Sequence, residues 1–191
     1  MKDLSSPHVS QAWLVQGTGS SGSPNLLIEL PHGATKAEDY SYTRNKIQGK
    51  IPDSLSDFFF VNTDVGSPEC GQAIAEHLTQ KNPSLCVLIL QSLIPRTFID
   101  CNRVIGLSET DFAEGGVTPG VPSYIQDPKD KEYLIQLHQC YQKHAKLAYE
   151  QVCGQGGLAL MLHSYAPRSV GIKRVDDQIV SNLHKAYLPE V

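Results

Sequence analysis

The sequence predicts an α/β domain, three-layer α/β/α, around a mostly parallel or mixed central sheet. Short aliphatic runs recur along the chain, each closed by Pro, Gly, Asn or Asp, as buried strands are. Longer stretches between them show apolar residues at three- and four-residue spacing, the period of a helix packed on one face. Alternation of the two kinds favours a layered fold over segregated helices and strands. The 191 residues suffice for one domain with a substantial core, so 1–191 is read as a single unit.

In chain order, residues 1–24 read as a partly flexible lead that ends in the Gly/Ser-rich stretch from Gly17 to Pro24. Leu26 to Leu30 is the first buried strand, closed by Pro31-His32-Gly33. The run Phe58-Phe59-Phe60-Val61-Asn62 reads as a second, closed by Thr63-Asp64. A helix follows from near Pro68 to about Leu78, with Ser67 as its N-cap and Pro68 at the first helical position. Leu85 to Gln91 has the content of a central strand. Residues 106–126, rich in Gly, Pro and Ser, form a long loop, either a lid or specificity loop or a surface excursion. The clearest helix starts at Asp127-Pro128 and runs to about Val152, with Leu134, Leu137, Tyr141, Ala145 and Ala148 along one face. Gly154, Gly156 and Gly157 stop it, and a last strand from Gly157 to Leu162 ends at His163-Ser164.

Composition narrows the function classes. Apolar residues make up 40% and charged residues 19%, an ordinary globular balance. A net charge of -4 without a Lys/Arg cluster argues against nucleic acid or an anionic membrane as main partner. The N-terminus shows no secretory signal and no run approaches the ~18 apolar residues of a membrane span, so a cytoplasmic protein is expected. Five dispersed cysteines without a C-x-x-C pair fit reduced thiols better than a disulfide framework or a Cys-rich zinc site.

Two histidines, His32 and His163, stand directly after predicted strands, where open α/β sheets bind their ligands. Either alone is more often a hydrogen-bonded structural residue. The matched placement of the two suits a metal site built on a rigid sheet. His8, His77, His138, His144 and His184 lack that placement and are read as structural or solvated. Catalytic zinc commonly takes two histidines and a carboxylate and keeps a fourth position for water. The segment from Asn62 to Glu69 offers Asp64 and Glu69. Glu69 is placed slightly ahead, because a helix start can aim the longer carboxylate back over the sheet edge. An acid in the first helical turn is favoured by the macrodipole in any case, and Asp64 also suits a turn. The segment from Pro95 to Arg103 packs Arg96, Asp100, Asn102 and Arg103 together, a set that can clamp a carboxylate or pin a loop as an ion pair.

With these residues in hand, the chain resembles the N-formylglutamate amidohydrolase family, similar in fold to zinc carboxypeptidases and aspartoacylases. The likeness lies in Pro-His-Gly at His32, the segment from Asp64 to Glu69, Ile-Asp-Cys-Asn-Arg at 99–103 and Leu-His-Ser at His163, and it spans about residues 26 to 170. The Asp-x-Asn-Arg stretch is its most specific part. The resemblance implies a phosphorylase/hydrolase-like fold, zinc on His32, an acid near Glu69 and His163, and a substrate carboxylate held by Asn102 and Arg103. Arg96 is then a second cation beside the developing oxyanion, and Arg168 a contact to a second carboxylate. The implied reaction is hydrolysis of the amide of an N-acyl amino acid, N-formylglutamate by default. The expected partner is a small carboxylate-bearing substrate.

Two departures stand out. The carboxypeptidase-like pattern has a glutamate ligand three residues after the first histidine, where this chain has Thr35. The family's general-base glutamate lies downstream of the His-Ser turn, where this chain offers only Asp176, Asp177 and Glu190. The expectation is therefore a chain shortened at its C-terminus, another base (Glu38 is a candidate that nothing selects), or a metal-binding homologue without turnover. A zinc peptidase or peptidoglycan amidase is the alternative within the same chemistry.

Overall fold

The computed structural model describes residues 2–106 and 119–164, together with residues 181 and 185. Their fold is mixed α/β, with an open four-stranded mixed sheet. The strands are β1 (Ser10–Gln16), β2 (Leu26–Leu30), β3 (Cys86–Ser92) and β4 (Leu158–Met161), in the order β1-β3-β2-β4. β1 runs antiparallel to β3, with Trp13 opposite Ile89. β2 runs parallel to both β3 and β4, with Ile28 opposite Ile89 and Leu160. The helices are α1 (Ala37–Arg44), α2 (Leu55–Asn62), α3 (Ser67–Lys81) and α4 (Pro128–Val152). None of the described helices is long and apolar enough to cross a membrane.

Successive residues of a strand face opposite ways, and the core divides accordingly. Leu27, Leu88 and Leu90 join Leu134, Tyr141, Ala145 and Ala148 of α4 and Leu55 and Phe58 of α2 in one cluster. Leu26, Ile28, Leu30, Val87 and Ile89 join Ala75 of α3 in the other. β2 and β3 are buried along their whole length, which explains why both read as unbroken apolar runs rather than alternating ones.

Phe58 to Asn62 is helical, not a strand: α2 begins at Leu55 and takes in all five residues. Leu55, Phe58 and Phe59 are buried while Phe60 is 52% exposed. That is the i, i+3, i+4 pattern of one helix face; a strand would have put Phe58 and Phe60 on the same side. β1 lies inside the predicted lead. Its Ala12 and Leu14 pack against one cluster and Trp13 and Val15 against the other, a period of two that only pairing with β3 makes plain. The short α1, amid polar residues, was also beyond the sequence reading.

α3 starts at its predicted cap, one residue earlier than expected. Gly66 is the N-cap, at φ 84°, a left-handed conformation that glycine adopts without steric cost, and Ser67 is already helical and buried. At α4 the expected start at Asp127-Pro128 holds, and Asp127 is its N-cap: the side chain accepts from the N–H groups of Lys129 at 2.8 Å and Asp130 at 3.3 Å. Asp127→Ala is expected to cost about 1 kcal/mol of stability in a urea titration, and an unchanged midpoint would show that the cap is replaced by solvent. The buried stripe of α4 runs through Leu134, His138, Tyr141, Ala145, Ala148 and Val152, so His138 rather than Leu137 completes it.

Candidate metal centre

The chain passes from β2 through α1–α3 to β3 on one side of it, then through α4 to β4 on its other side. Three parallel strands therefore deliver their C-terminal ends to one edge of the sheet, at a point where the strand order reverses. His32 follows β2, His163 follows β4, and Asp100, Asn102 and Arg103 follow β3. The turn after β2 is tied down from two sides. Gln91 of β3 donates to the Gly33 carbonyl at 2.6 Å, and a Cβ at Gly33 would lie 2.4 Å from the Gln91 side chain, so this close approach requires glycine. The Thr63 hydroxyl is shared between the carbonyls of His32 at 3.2 Å and Ala34 at 2.8 Å. That bond docks the α2–α3 connection against the first histidine and places Asp64.

The result is a His-Asp-His group. His32, Asp64 and His163 each offer a ligand atom, and these atoms lie within 4.8 Å of one another. Asp64 Oδ2 is 2.8 Å from His163 Nδ1 and 3.4 Å from His32 Nδ1. The imidazole centroids are 5.0 Å apart. His32 and Asp64 are buried, and the His163 side chain is 37% exposed, so one side of the group faces solvent.

Asp100 sits behind His32. His32 Nε2 is 2.8 Å from Asp100 Oδ1, so the proton belongs on Nε2 and the Nδ1 lone pair is left facing Asp64 and His163. A carboxylate on the far nitrogen is how proteins orient metal-bound histidines. His32 Nδ1 is buried and has no hydrogen-bond partner, an unusual state for a ring nitrogen. Asp100 is itself held by the Arg96 Nε–H at 3.0 Å and the Asn102 N–H at 2.8 Å, with Arg103 Nε at 3.9 Å.

These contacts set the proton affinities. Burial opposes a charge on His32, but its contacts to Asp100 and Asp64 outweigh that and raise its pKa above 6.5. Burial likewise opposes ionisation of Asp64, yet the two imidazoles bring it down to about 2. Asp100 is pulled down further still, because the contacts from His32 and Arg96 overcome its burial. Both carboxylates are thus ionised at neutral pH, as a cation site needs.

Of the predicted site residues, the structure brings together His32, His163, Asp64, Asn102, Arg96 and Arg103. Asn102 Nδ2 lies 3.4 Å from His163 Nε2, and Arg103 donates to the Asn102 carbonyl at 2.9 Å. Glu69, placed ahead of Asp64 as third ligand, is exposed on the first turn of α3 and outside the group; Asp64 holds that place. The helix carries Glu69 away from the sheet edge, while the extended backbone at Thr63 presents Asp64 to it. Glu38 is exposed on the first turn of α1 and joins no such group. Arg168 and most of the predicted long loop lie outside the described residues. His138 and His144 are buried, one against the Arg103 carbonyl at 2.9 Å and the other against the Ser10 hydroxyl at 2.7 Å.

Two buried acids escaped the sequence reading. Asp100, seen only as part of a clamp or ion pair, orients His32; its position two residues before Asn102 was the available signal. Glu29, the one charge inside the apolar run of β2, is buried and accepts from the hydroxyls of Tyr141 at 2.9 Å and Tyr149 at 2.8 Å. Comparison with known protein families, with curated proteins and with solved structures finds no significant match.

Proposed function

We propose that this chain is a zinc-dependent amidohydrolase that cleaves the amide of an N-acyl amino acid, of the kind represented by N-formylglutamate, on a three-layer α/β/α fold. The observation that carries this reading is the grouping of His32, Asp64 and His163, with ligand atoms within 4.8 Å of one another and His32 fixed from behind by Asp100. Two imidazoles and one carboxylate are a common protein ligand set of catalytic zinc. Bound there, zinc would supply a water acidified to about pKa 7 and a Lewis acid for a carbonyl oxygen.

The chain's own residues account for the rest. Asp100 holds the His32 tautomer and Arg96 holds Asp100. The Arg103 guanidinium borders the cleft next to the centre, where it suits a substrate carboxylate. Anchoring the substrate there would orient its amide toward the exposed side of His163, an entropic contribution that can reach several kcal/mol. Cys101 is no rival nucleophile: burial pushes its thiol up to about 12. A metal-binding homologue without turnover is the second reading, favoured by the exposure of Glu38 and its place outside the His-Asp-His group.

The test is hydrolysis of N-formyl and N-acetyl amino acids by zinc-loaded protein, followed by release of the free amine. Turnover that is lost in Asp64→Asn, and whose KM rises at least about tenfold in Arg103→Ala, is the expected result. Stoichiometric zinc without turnover on any such substrate would leave the binder.

A further inference from the structure

Beside the metal centre lies an open cleft of about 490 Å³, large enough for an amino-acid derivative, which shares Asn102 with it. Arg103, Lys146, Glu150 and the buried Glu29 line it. Glu29 is only 4% exposed. Among the described residues its hydrogen-bond donors are the Tyr141 and Tyr149 hydroxyls, and burial together with Glu29 raises the pKa of both tyrosines, so they remain neutral donors. Among the described residues no cation stands within 4.0 Å of this carboxylate. Asp100, by contrast, has His32 and Arg96. Lys146 does not fill the gap, since it is 76% exposed and pairs with Glu150 at 3.8 Å.

Buried carboxylates are normally paired with a cation, and a carboxylate accepts about four hydrogen bonds, of which the tyrosines use two. We infer that Glu29 receives a cation from the ligand, and that the cleft selects N-acyl amino acids with a basic side chain. The α-carboxylate meets Arg103 and the side-chain ammonium or guanidinium reaches Glu29. A glutamate side chain would set a second carboxylate against Glu29 in a poorly solvated place, so the chemistry favours lysine or arginine derivatives over N-formylglutamate. The inference rests on the amidohydrolase reading only for the N-acyl amino acid scaffold; the cation preference follows from Glu29 itself.

Calorimetric titration of the full chain with Nα-formyl-arginine, Nα-formyl-norleucine and Nα-formyl-glutamate, zinc-loaded and zinc-free, tests it. The arginine derivative is expected to bind at least about tenfold more tightly than norleucine, with glutamate weakest. Glu29→Gln should abolish the difference between arginine and norleucine while norleucine binding survives. Should that variant fail to fold, Met161→Lys serves instead: Met161 is the β4 partner of Glu29 and lines the cleft, and its new ammonium should occupy the carboxylate and erase the preference. Equal affinity for arginine and norleucine, no binding at all, or a preference that survives both variants overturns the inference. Zinc bound with a flat ranking removes only this inference; the ranking without zinc or turnover removes only the hydrolase reading.

Discussion

Titrated with zinc after purification without added metal, the chain is expected to take up about one ion, as a site with one set of protein ligands does. His32→Ala, Asp64→Asn and His163→Ala should each abolish stoichiometric binding, while Glu69→Gln should bind as the wild type does. The contrast between the two acids is the sharp part. Asp64 Oδ2 lies 2.8 Å and 3.4 Å from the two imidazoles, and Glu69 stands exposed outside them. Asp100→Asn keeps all three ligands but loses the carboxylate behind His32, and a loss of about 10- to 100-fold in affinity is expected. Protons compete for the same nitrogens. Because the contacts to Asp100 and Asp64 raise the His32 pKa above its ordinary value, affinity should begin to fall at a higher pH than it would for an unperturbed imidazole. Loss of zinc in Glu69→Gln with retention in Asp64→Asn would reverse the assignment of the third ligand. No uptake by the wild type would leave Asp100, His32, Asp64 and His163 as a structural network.

Phe59→Ala is expected to cost about 3–5 kcal/mol, a large share of the stability of a domain this size, whereas Phe60→Ala, which loses an edge contact to the Phe59 ring at 5.0 Å but little burial, should cost about 1 kcal/mol. The two residues are adjacent and chemically identical, so only their direction differs. Phe59 is fully buried, with its ring 5.3 Å from that of Tyr40, and Phe60 is 52% exposed. Chemical denaturation of the two variants reads the difference directly. Similar losses in both would mean that α2 does not present the face described, and that the strand reading of this segment had been nearer the truth.

That segment shows where local pattern stops being informative. Four successive apolar residues, Phe58 to Val61, fit a buried strand and a buried helix turn equally well. Five residues are too few to display a period, and the decision lies in Leu55 and in what the face packs against. The long α4 was legible for the opposite reason: 25 residues display their period many times over, and Asp127 with Pro128 marks the start. β2 and β3 were legible because strands buried in a sheet need little but aliphatic side chains and a stop, and β4 carries the same kind of aliphatic run, although Leu158, Leu160 and Met161 are exposed. β1 offers only the four-residue run from Ala12 to Val15, half-buried and inside the stretch read as a lead.

The sequence by itself determined an α/β alternation, the two strand-end histidines, the Asp100–Arg103 segment and a pair of acids between them. It could not say which strand ends meet. His32 and Asp100 are 68 residues apart and Asp64 and His163 are 99 apart, yet each pair stands at 2.8 Å. That proximity comes from the parallel pairing of β2 with both β3 and β4, a choice made by hydrogen bonds and packing between distant segments. The choice of Asp64 over Glu69 likewise rests on Thr63 docking against the turn after β2. Glu29 was visible as a charge in an apolar strand; only the packing of α4 showed that two tyrosines, and no cation among the described residues, would meet it.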